Sequence, residues 1–350
     1  MKILEVCPGY PPTLGGVEQH VRNISERLAR EHEVTVFATD PSGRLPKEEE
    51  RNGVLVRRFK SFSPNNAYHV SFGMLRELRR SQFDVVHGHN YHAFPLFLSR
   101  YAKRERFIVT AHYHGRGSTT IRDSLMRFYR PFGQKVLQEA DRIIAVSNHE
   151  KALLIKDFRI DGTKIAVIPS GIDLADFKDL RKAAKSYKTI LYVGRLEGYK
   201  GVQYVVQALP LLDKGIRLEI VGKGPYKERL IRLAKELGVE DRVDLYQDLL
   251  REELLRRYVN ADLLVILSKY EAFGTVVAEA LAAKTPCIVA NTSALREWID
   301  NQNCFGIDYP LSSDQLAQLI NRVMGQKVKD VKPWDWDQVV EETVRIYRER

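Results

Sequence analysis

Two kinds of segment alternate along the whole chain. Short apolar runs rich in β-branched residues, such as 2–7 and 33–38, are typical of strands, and between them Val17, Val21 and Ile24 fall at the spacing of one helix face. The alternation returns after residue 188, beginning with the apolar run 189–194. Strands that alternate with helices form mostly parallel sheets, which bind ligands beyond the carboxyl ends of their strands. The pattern therefore predicts an α/β fold.

The chain length and a break in this pattern indicate two domains. A single hydrophobic core stops growing at roughly 250–300 residues, and this chain has 350. The periodicity lapses in a polar, lysine-rich stretch between Pro169 and Lys188. We therefore predict two doubly wound domains with parallel sheets, divided near residues 171 and 172 and facing each other across a cleft.

The net charge and the cysteine content indicate which partners the protein can bind and in which cellular compartment it works. The formal net charge is +10, and residues 1–173 carry +8 of it, which favours polyanionic partners such as nucleotides, acidic lipid headgroups or nucleic acid. The three cysteines lie far apart, without the spacing of a zinc site or a disulfide framework. No apolar run approaches the ~20 residues of a membrane span. We expect a cytoplasmic protein without signal peptide or anchor.

Two loops contain residues that can bind a diphosphate. Gly15 and Gly16 precede a predicted helix, where backbone N–H groups can approach a phosphate, although such a turn is also common as a purely structural feature. Arg195 and Lys200 follow the run 189–194, where they can converge on a diphosphate or remain solvated surface cations. The dinucleotide pattern G-x-G-x-x-G is absent from the first loop, which argues against a nicotinamide enzyme.

A third segment carries two glutamates on either side of a predicted helix start near Gly274 and Thr275. Glu271 lies in the preceding loop and Glu279 about one turn into the helix, whose side chains lean toward its N-terminus. A carboxylate can accept hydrogen bonds from two hydroxyl groups. Glu279 can therefore reach a ribose diol and Glu271 a hydroxyl group beyond it. The alternative, a solvated surface glutamate, is disfavoured by the apolar neighbours of Glu279.

Three motifs occur in a fixed order along the chain. They are Gly-Gly-Val-Glu at 15–18, Gly-Arg-x-x-x-x-Lys-Gly at 194–201 and Glu-x-Phe-Gly-x-x-x-x-Glu-Ala at 271–280. In this order they resemble the retaining nucleotide-sugar glycosyltransferases of family 4, and the likeness covers nearly the whole chain. It implies the GT-B architecture of two Rossmann-like domains. The N-terminal domain, 1–171, would be the acceptor side and be joined by the C-terminal helix 334–350, and 172–333 would be the donor side.

The resemblance also implies roles for individual residues. The donor diphosphate would be held by Gly15, Gly16, Arg195 and Lys200, the ribose by Glu279, and the transferred sugar by Glu271, Ala272, Phe273, Gly274 and Thr275. The strand ending in His112 resembles a family segment, which places His112 opposite the donor sugar, with His114 as a less favoured substitute. His112 and Glu271 are the predicted catalytic residues.

The same resemblance implies transfer with retention from a nucleoside-diphosphate sugar to a hydroxyl acceptor. Placed cations can stabilise the leaving diphosphate without a metal, so we expect no metal and no cofactor, the nucleotide sugar being a substrate. The residues do not identify the base, the sugar, the acceptor or the oligomeric state.

The alternative enzyme class is a nucleotide-sugar 2-epimerase or hydrolase on the same fold. Charge alone suggests a nucleic-acid-binding protein, but no recognisable motif supports it, and we expect no nucleic-acid partner.

The chain departs from the family pattern at two places. Asn291-Thr292-Ser293 stands where many members have a glycine pair, and Lys284 where a glycine is usual. The triplet Asp335-Trp336-Asp337 matches the D-x-D of metal-dependent glycosyltransferases, but its place at a predicted helix start favours capping and packing.

Two basic amphipathic segments indicate which class of acceptor the protein uses. The segments 69–81 and 118–139 each combine apolar positions with arginines, as in helices that lie on anionic bilayers, although each can equally face its own core. With the positive first half, they favour a lipid or lipid-linked glycan acceptor, possible binding to an anionic membrane surface, and a peripheral location at the inner face of the membrane.

Overall fold

A computed structural model describes residues 1–13, 15–64, 68–115, 120–329 and 331–349, and of residues 120–128 the backbone alone. The contacts divide the chain into two units, one formed by Met1–Gly171 with Trp336–Arg350 and the other by Ile172–Asp335. The C-terminal helix, predicted to begin at residue 334, begins at Trp336.

The first unit is built on one twisted sheet. Its strands in the described part of the chain are β1 (Lys2–Val6), β2 (Glu33–Asp40), β3 (Glu48–Arg51), β4 (Val54–Lys60), β5 (Gln82–His89), β6 (Lys103–Thr110), β7 (Arg142–Ala145) and β8 (Ile165–Val167). Their spatial order is β3-β4-β2-β1-β5-β6-β7-β8, and only β3 runs antiparallel to its neighbour. The order reverses direction between β1 and β5, which makes that pair the switch point at which a doubly wound sheet binds ligands.

Helices cover both faces of this sheet. They are α1 (Gly16–Leu28), α2 (Phe72–Leu78), α3 (Phe94–Ser99), α4 (Thr120–Glu139), α5 (Asn148–Phe158) and, from the end of the chain, α11 (Trp336–Arg348). On one face α1 and α11 pack together, and their apolar positions, among them Val21 and Val339, are fully buried. On the other, α2 to α5 cover a second core that contains Met74 and Leu78.

The second unit repeats the design with its own core. Its strands are β9 (Lys188–Val193), β10 (Ile216–Val221), β11 (Val243–Tyr246), β12 (Leu263–Ile266), β13 (Cys287–Ala290) and β14 (Cys304–Ile307), all parallel in the order β11-β10-β9-β12-β13-β14. Its helices are α6 (Val202–Ala208), α7 (Lys227–Glu236), α8 (Arg251–Asn260), α9 (Thr275–Ala282) and α10 (Ser313–Val323). The switch point of this sheet lies between β9 and β12.

The predicted α/β architecture of two doubly wound, Rossmann-like sheets is confirmed. The pattern of apolar runs did not predict two of these strands, β3 and β14. The segment of β3 reads Glu-Glu-Glu-Arg and lies at an edge, where a strand needs no apolar face, and β14 is a four-residue edge strand after β13. No helix in the described ranges combines the length and the apolar character that crossing a bilayer requires.

The two basic amphipathic segments form α2 and α4. In α2, Met74 and Leu78 face the core, while Phe72 is 83% exposed and Arg76 is also exposed. The prediction that this segment can face its own core is therefore confirmed for Met74 and Leu78. Phe72 and Arg76 form a separate face that is exposed. In α4, the side chains predicted at 120–128 lie outside the described residues, and Phe132 is 55% exposed.

Candidate active site

The switch point of the second sheet brings together the motif residues of the second unit. Arg195 and Lys200 lie in the loop that follows β9, and Glu271 lies in the loop that follows β12. Because β9 and β12 are parallel neighbours, both loops leave the sheet at its carboxyl edge. Gly201 ends the first loop with a φ of 78°, and a Cβ atom there would collide with the carbonyl group of Leu267. Only glycine therefore fits the turn that positions Lys200.

Lys200 and Glu271 form a close ion pair at this edge. The Lys200 Nζ lies 2.6 Å from the Glu271 Oε1, and the two side chains are only 16% and 19% exposed. Burial alone would lower the pKa of Lys200, but the adjacent Glu271 carboxylate outweighs it and raises that pKa. Lys200 is therefore a fixed positive charge that holds a carboxylate in place.

Arg195 lies in the same loop but makes a different ion pair. Its Nη2 lies 2.5 Å from the Glu197 Oε1, and its side chain is 66% exposed. The Glu197 side chain is only 11% exposed, so the pair joins a solvent-facing guanidinium to a largely buried carboxylate. The Arg195 guanidinium can keep Glu197 and still donate to an anionic ligand through its other N–H groups.

Residues 272–275 lead into α9, which begins at Thr275 with Gly274 as its N-cap. Gly274 has a φ of 96°, a left-handed conformation that favours glycine. The Trp298 Nε1 donates a hydrogen bond to the Phe273 carbonyl oxygen at 2.8 Å, and the Ser293 hydroxyl accepts one from the Glu271 N–H at 3.0 Å. The helix start and the Glu271 backbone are thus held by the loop that departs from the family pattern.

Glu279 projects from α9 into a buried polar contact. The Tyr258 hydroxyl donates a hydrogen bond to the Glu279 Oε2 at 2.7 Å, and Arg251 forms an ion pair with the Oε1. Glu279 is 8% exposed and Tyr258 is fully buried. An ionised carboxylate has about four acceptor positions, so Glu279 keeps acceptor capacity for a ligand hydroxyl group. Arg251 in turn lies 3.4 Å from the Asp176 carboxylate.

Gly15 and Gly16 lie in the first unit, at the start of α1. Gly15 is the N-cap of the helix in an extended conformation, and nothing lies within 4 Å of a Cβ placed on Gly16. A Cβ on Gly15 would collide with the Glu18 carboxylate, whose pKa is raised by burial. A side chain at 15 would therefore require the Glu18 carboxylate to move, whereas glycine at 16 leaves open space next to the helix N-terminus.

His112 also lies in the first unit, two residues beyond the end of β6. Its backbone is left-handed, with a φ of 49°, which is uncommon for a residue other than glycine and recurs at functional sites. Burial, followed by the influence of His89 and His87, lowers the pKa of His112 to about 3, so its ring is neutral near pH 7. The ring packs edge-on against His20, with 4.8 Å between ring centroids.

The D-x-D triplet starts α11. The Asp337 carboxylate pairs with Arg27 on α1 at 3.2 Å and with Arg30, just beyond the end of α1, at 3.3 Å. Trp336 is 6% exposed and packs against His20. These contacts fit a role in packing α11 onto α1.

Sequence reasoning missed several residues that complete these contacts. Tyr258 and Arg251 contact Glu279, Ser293 contacts Glu271, and His20 contacts His112. For Tyr258 a signal existed, since a tyrosine on the apolar face of a predicted helix needs a buried acceptor. For Ser293 the signal was the departure from the family pattern, since its left-handed backbone, with a φ of 46°, suits a glycine in this loop.

The chain resembles known proteins over nearly its whole length. Residues 14–176 match the family described as Glycosyltransferase Family 4, and residues 175–333 match Glycosyl transferases group 1. A glycogen synthase of Mycobacterium tuberculosis is 30% identical, over 99% of this chain and 94% of that protein. Sucrose-phosphate synthase from Thermosynechococcus elongatus has a similar structure, with a TM-score of 0.81 and 20% identity over 99% of this chain and 98% of that one.

A third similar protein is HepE of Anabaena, whose structure was solved in complex with UDP-glucose. It matches with a TM-score of 0.77 and 16% identity over 99% of both chains. Both solved structures show the GT-B fold for this chain. The family matches cover nearly the whole chain and include the three motifs with their residues in order. The chain therefore belongs to glycosyltransferase family 4, the group 1 glycosyltransferases, and is a glycosyltransferase.

Proposed function

We propose that this glycosyltransferase moves a sugar, with retention, from a nucleoside-diphosphate sugar to a hydroxyl acceptor without a metal ion. The observation that carries the proposal is the Lys200–Glu271 ion pair at the carboxyl edge of the second sheet, beside the start of α9. It pairs a cation suited to a phosphate with a carboxylate suited to sugar hydroxyl groups. Support comes from the similar HepE structure, which holds UDP-glucose.

The diphosphate is the group that the cations would bind. The Lys200 ammonium has three donors, so it can keep Glu271 and still donate to a phosphate oxygen. Arg195, whose exposed guanidinium pairs with Glu197, can add a contact through its other N–H groups. We assign the backbone N–H groups next to Gly15 and Gly16 to the same diphosphate, since a helix N-terminus favours an anion.

The sugars of the donor would be held by the two glutamates. Glu279 is fixed by Tyr258 and Arg251, so its carboxylate is oriented before a ribose diol arrives. Glu271 is fixed by Lys200 through its side chain and by Ser293 through its N–H group. We assign Glu271 and the backbone of 272–275 to the transferred sugar. Such preorganised groups cost little reorganisation when the ligand binds.

The chemistry requires stabilisation of a departing diphosphate. When the glycosidic bond breaks, negative charge develops on that group, and Arg195 and Lys200 would stabilise it. We propose transfer on the same face of the sugar, with the departing phosphate helping to remove the proton of the acceptor hydroxyl. The neutral His112 ring can exchange a hydrogen bond with a sugar hydroxyl without adding a charge.

For the acceptor we propose a lipid or a lipid-linked glycan at an anionic membrane surface. The helices α2, α3 and α4 pack side by side in the first unit. They carry the exposed aromatic residues Phe72 and Phe132, which are 83% and 55% exposed, and exposed cations such as Arg76 and Lys135. Aromatic rings beside cations favour the interface of an anionic bilayer.

The membrane contact can be tested by sedimentation with vesicles rich in anionic lipid at low salt. We expect the protein to sediment, and Phe72→Ser to sediment less. Leu211→Ser is the matched control, since Leu211 is 50% exposed but lies in the second unit. Failure of the unaltered protein to sediment would contradict the membrane proposal and leave the transferase proposal standing.

The donor site can be tested by thermal unfolding with UDP, GDP, ADP or dTDP, each in EDTA and in magnesium. A ligand that binds the folded state raises its unfolding temperature by mass action. We expect one nucleotide to stabilise the protein in EDTA and Lys200→Met to abolish the shift. Lys182→Met is the matched control, because Lys182 also pairs with a carboxylate, that of Asp262, at the opposite edge of the same sheet.

Three results would change this proposal. Stabilisation that requires magnesium would contradict metal-free binding, and no stabilisation by any nucleotide would contradict the donor class. Consumption of the nucleotide sugar at an equal rate without any acceptor would favour the epimerase or hydrolase. If transfer is found, the anomeric configuration of the product, read by proton NMR, tests retention.

A further inference from the structure

Three histidine rings meet at the switch point of the first sheet. His20 lies on α1, His89 ends β5 and His112 follows β6, so three separate elements contribute. One ring nitrogen from each histidine lies within 4.8 Å of those of the other two. His20 and His89 are 3% and 0% exposed, and His112 is half-buried. The cluster is therefore enclosed on the side of His20 and His89 and reachable on the side of His112.

Each of the three rings has one nitrogen without a hydrogen-bond partner among the described residues. The His89 Nε2 lies 2.5 Å from the Glu5 Oε2, and the His20 Nδ1 lies 3.3 Å from the Ser170 hydroxyl. The remaining nitrogens, His20 Nε2 and His89 Nδ1, have no hydrogen-bond partner among the described residues, and neither does the His112 Nε2. A buried polar atom without a partner is costly. Each of the three histidines thus offers one buried nitrogen that the protein itself leaves unsatisfied.

We propose that His20, His89 and His112 form a binding site for one transition-metal ion of the zinc or cobalt type. Three imidazole nitrogens with a fourth position left to water are a common coordination set for such ions. Oxygen-seeking ions such as magnesium do not suit an all-nitrogen set. The site goes beyond the proposed transfer reaction, which needs no metal.

The surroundings of the cluster fit this ligand. The Glu5 carboxylate, fully buried behind His89, occupies the place of the outer-shell carboxylate that orients a metal-bound imidazole. A histidine binds a metal ion through a ring nitrogen that carries no proton. The contacts of the His20 Nδ1 with Ser170 and of the His89 Nε2 with Glu5 leave the other ring nitrogen of each for that role.

Closing the site requires a small adjustment. Bonds of roughly 2.0–2.1 Å to a tetrahedral zinc ion hold the ligand nitrogens about 3.4 Å apart, whereas here the three nitrogens lie within 4.8 Å of one another. Each ring must move inward by about half the difference or less. The half-buried His112 is the ring with space to turn.

Occupation of this site would inhibit transfer, and this part of the inference rests on the proposed function. A metal ion bound to His112 would engage the ring that we assign to the donor sugar and hold it in the cluster. We therefore expect zinc to lower activity and EDTA to restore it. Magnesium should do neither.

The test is a titration of the EDTA-treated, dialysed full chain with cobalt(II), followed by visible absorption. We expect one cobalt ion per chain and the intense bands of a tetrahedral site. His20→Asn keeps an amide near the Nδ1 position that contacts Ser170 and removes the Nε2. His89→Gln keeps an amide near the Nε2 position that contacts Glu5 and removes the Nδ1. Each should raise the cobalt dissociation constant by at least about tenfold, since even loss of an outer-shell partner costs roughly 10–100-fold.

The control variant is His32→Asn, a histidine outside the cluster, which should keep the cobalt bands. The proposed site is wrong if the protein with all its histidines shows no tetrahedral bands, or if His32→Asn loses them and His20→Asn retains them. Zinc inhibition that persists in His20→Asn would also overturn it. Cobalt bands without zinc inhibition would instead remove the role of His112 in transfer and leave the metal site intact. Circular dichroism of each variant confirms that it is folded.

Discussion

The two sheets reverse their strand order in the same way, but the chemistry at the two switch points differs. In the second unit, Lys200 is paired with Glu271 and Arg251 with Glu279, so charges face charges. In the first unit, neutral histidine rings face one another, and the buried carboxylate of Glu5 lies behind them. The switch point of the sheet therefore carries ion pairs in the second unit and a cluster of imidazole rings in the first.

This difference indicates which ligand each edge can accept. Ion pairs at the edge of the second sheet can exchange one partner for an anionic ligand without leaving a charge buried alone. Neutral imidazoles cannot neutralise a diphosphate, but they can bind a soft cation or exchange hydrogen bonds with hydroxyl groups. The predictions below separate the two edges, beginning with the largest expected effect.

Replacing Glu5 should destabilise the first unit most. The fully buried Glu5 carboxylate contacts His89 at 2.5 Å and the Tyr347 hydroxyl at 3.0 Å. Burial alone would raise the pKa of Glu5, but the contacts of its carboxylate with the His87 and His89 rings outweigh burial, so this pKa is lowered and the carboxylate is ionised. Glu5→Gln removes a buried charge that these contacts stabilise, which costs about 3–5 kcal/mol.

The measurement is chemical denaturation of the full chain combined with hydrogen exchange of β1 and β5. Glu33→Gln is the matched control, because Glu33 makes only an exposed ion pair with Lys2 at 3.6 Å. It should change the free energy of unfolding by less than about 1 kcal/mol. Equal effects of the two variants would show that the Glu5 network does not stabilise the first unit.

Replacing Glu271 should impair chemistry in the second unit and leave the first unit unchanged. Glu271→Gln keeps the shape of the side chain but removes the charge that holds Lys200 at 2.6 Å. We expect kcat to fall by roughly 100-fold, as for loss of one preorganised electrostatic group, with a smaller change in donor KM. Glu252→Gln is the control, since Glu252 is a surface residue paired with Arg256. Unchanged kcat in Glu271→Gln would remove the catalytic role of Glu271.

Acidification should weaken the first unit through its histidines. The pKa of His89 is about 4 and that of His112 about 3 in the folded protein, whereas an unfolded histidine titrates near 6.5. Between these values the unfolded chain binds more protons, so stability falls as the pH falls below about 6.5, by about 1.4 kcal/mol per pH unit for each histidine. Burial raises the pKa of Glu150 to about 7, which opposes one histidine over part of this range.

The net expectation is a lower unfolding temperature at pH 5 than at pH 7, measured by calorimetry in EDTA. His89→Gln removes one titrating ring and should make the decline shallower. All nine histidines lie between His20 and His149, so hydrogen exchange should show the loss in the first unit and spare the second. A protein equally stable at both pH values would contradict the buried neutral state of these rings.

The contrast between the two units also explains what the sequence could predict. Lys200, Glu271 and Glu279 could be found because each lies in a short motif directly after a strand, where a doubly wound sheet binds ligands. The neutral cluster could not, because His20, His89 and His112 are far apart in sequence and meet only through the order of the strands. Strand positions followed from apolar runs, so the sheets were predicted except for the polar edge strand β3 and the short edge strand β14.

The smallest predicted effect concerns a departure from the family pattern at the end of α9, the helix that carries Glu279. Lys284 has a φ of 61°, and the N–H groups of Lys284 and Thr285 donate to the carbonyl oxygens of Leu281 and Ala280. This is the Schellman arrangement, in which glycine is favoured because a Cβ is strained in the left-handed conformation. Lys284→Gly should therefore stabilise the second unit by about 0.5–1 kcal/mol, the relief of strain being partly offset by the greater freedom of glycine in the unfolded chain.

Lys284→Ala separates this explanation from an effect of charge, because alanine removes the ammonium group and keeps the strained Cβ. We expect a gain in the free energy of unfolding for Lys284→Gly alone, measured by urea denaturation and by slower hydrogen exchange in α9. Cobalt binding by the first unit should be the same in both variants, because the change lies in the second unit. An equal gain in Lys284→Ala would mean that the charge of Lys284, and not its backbone conformation, limits the stability of the helix that holds Glu279.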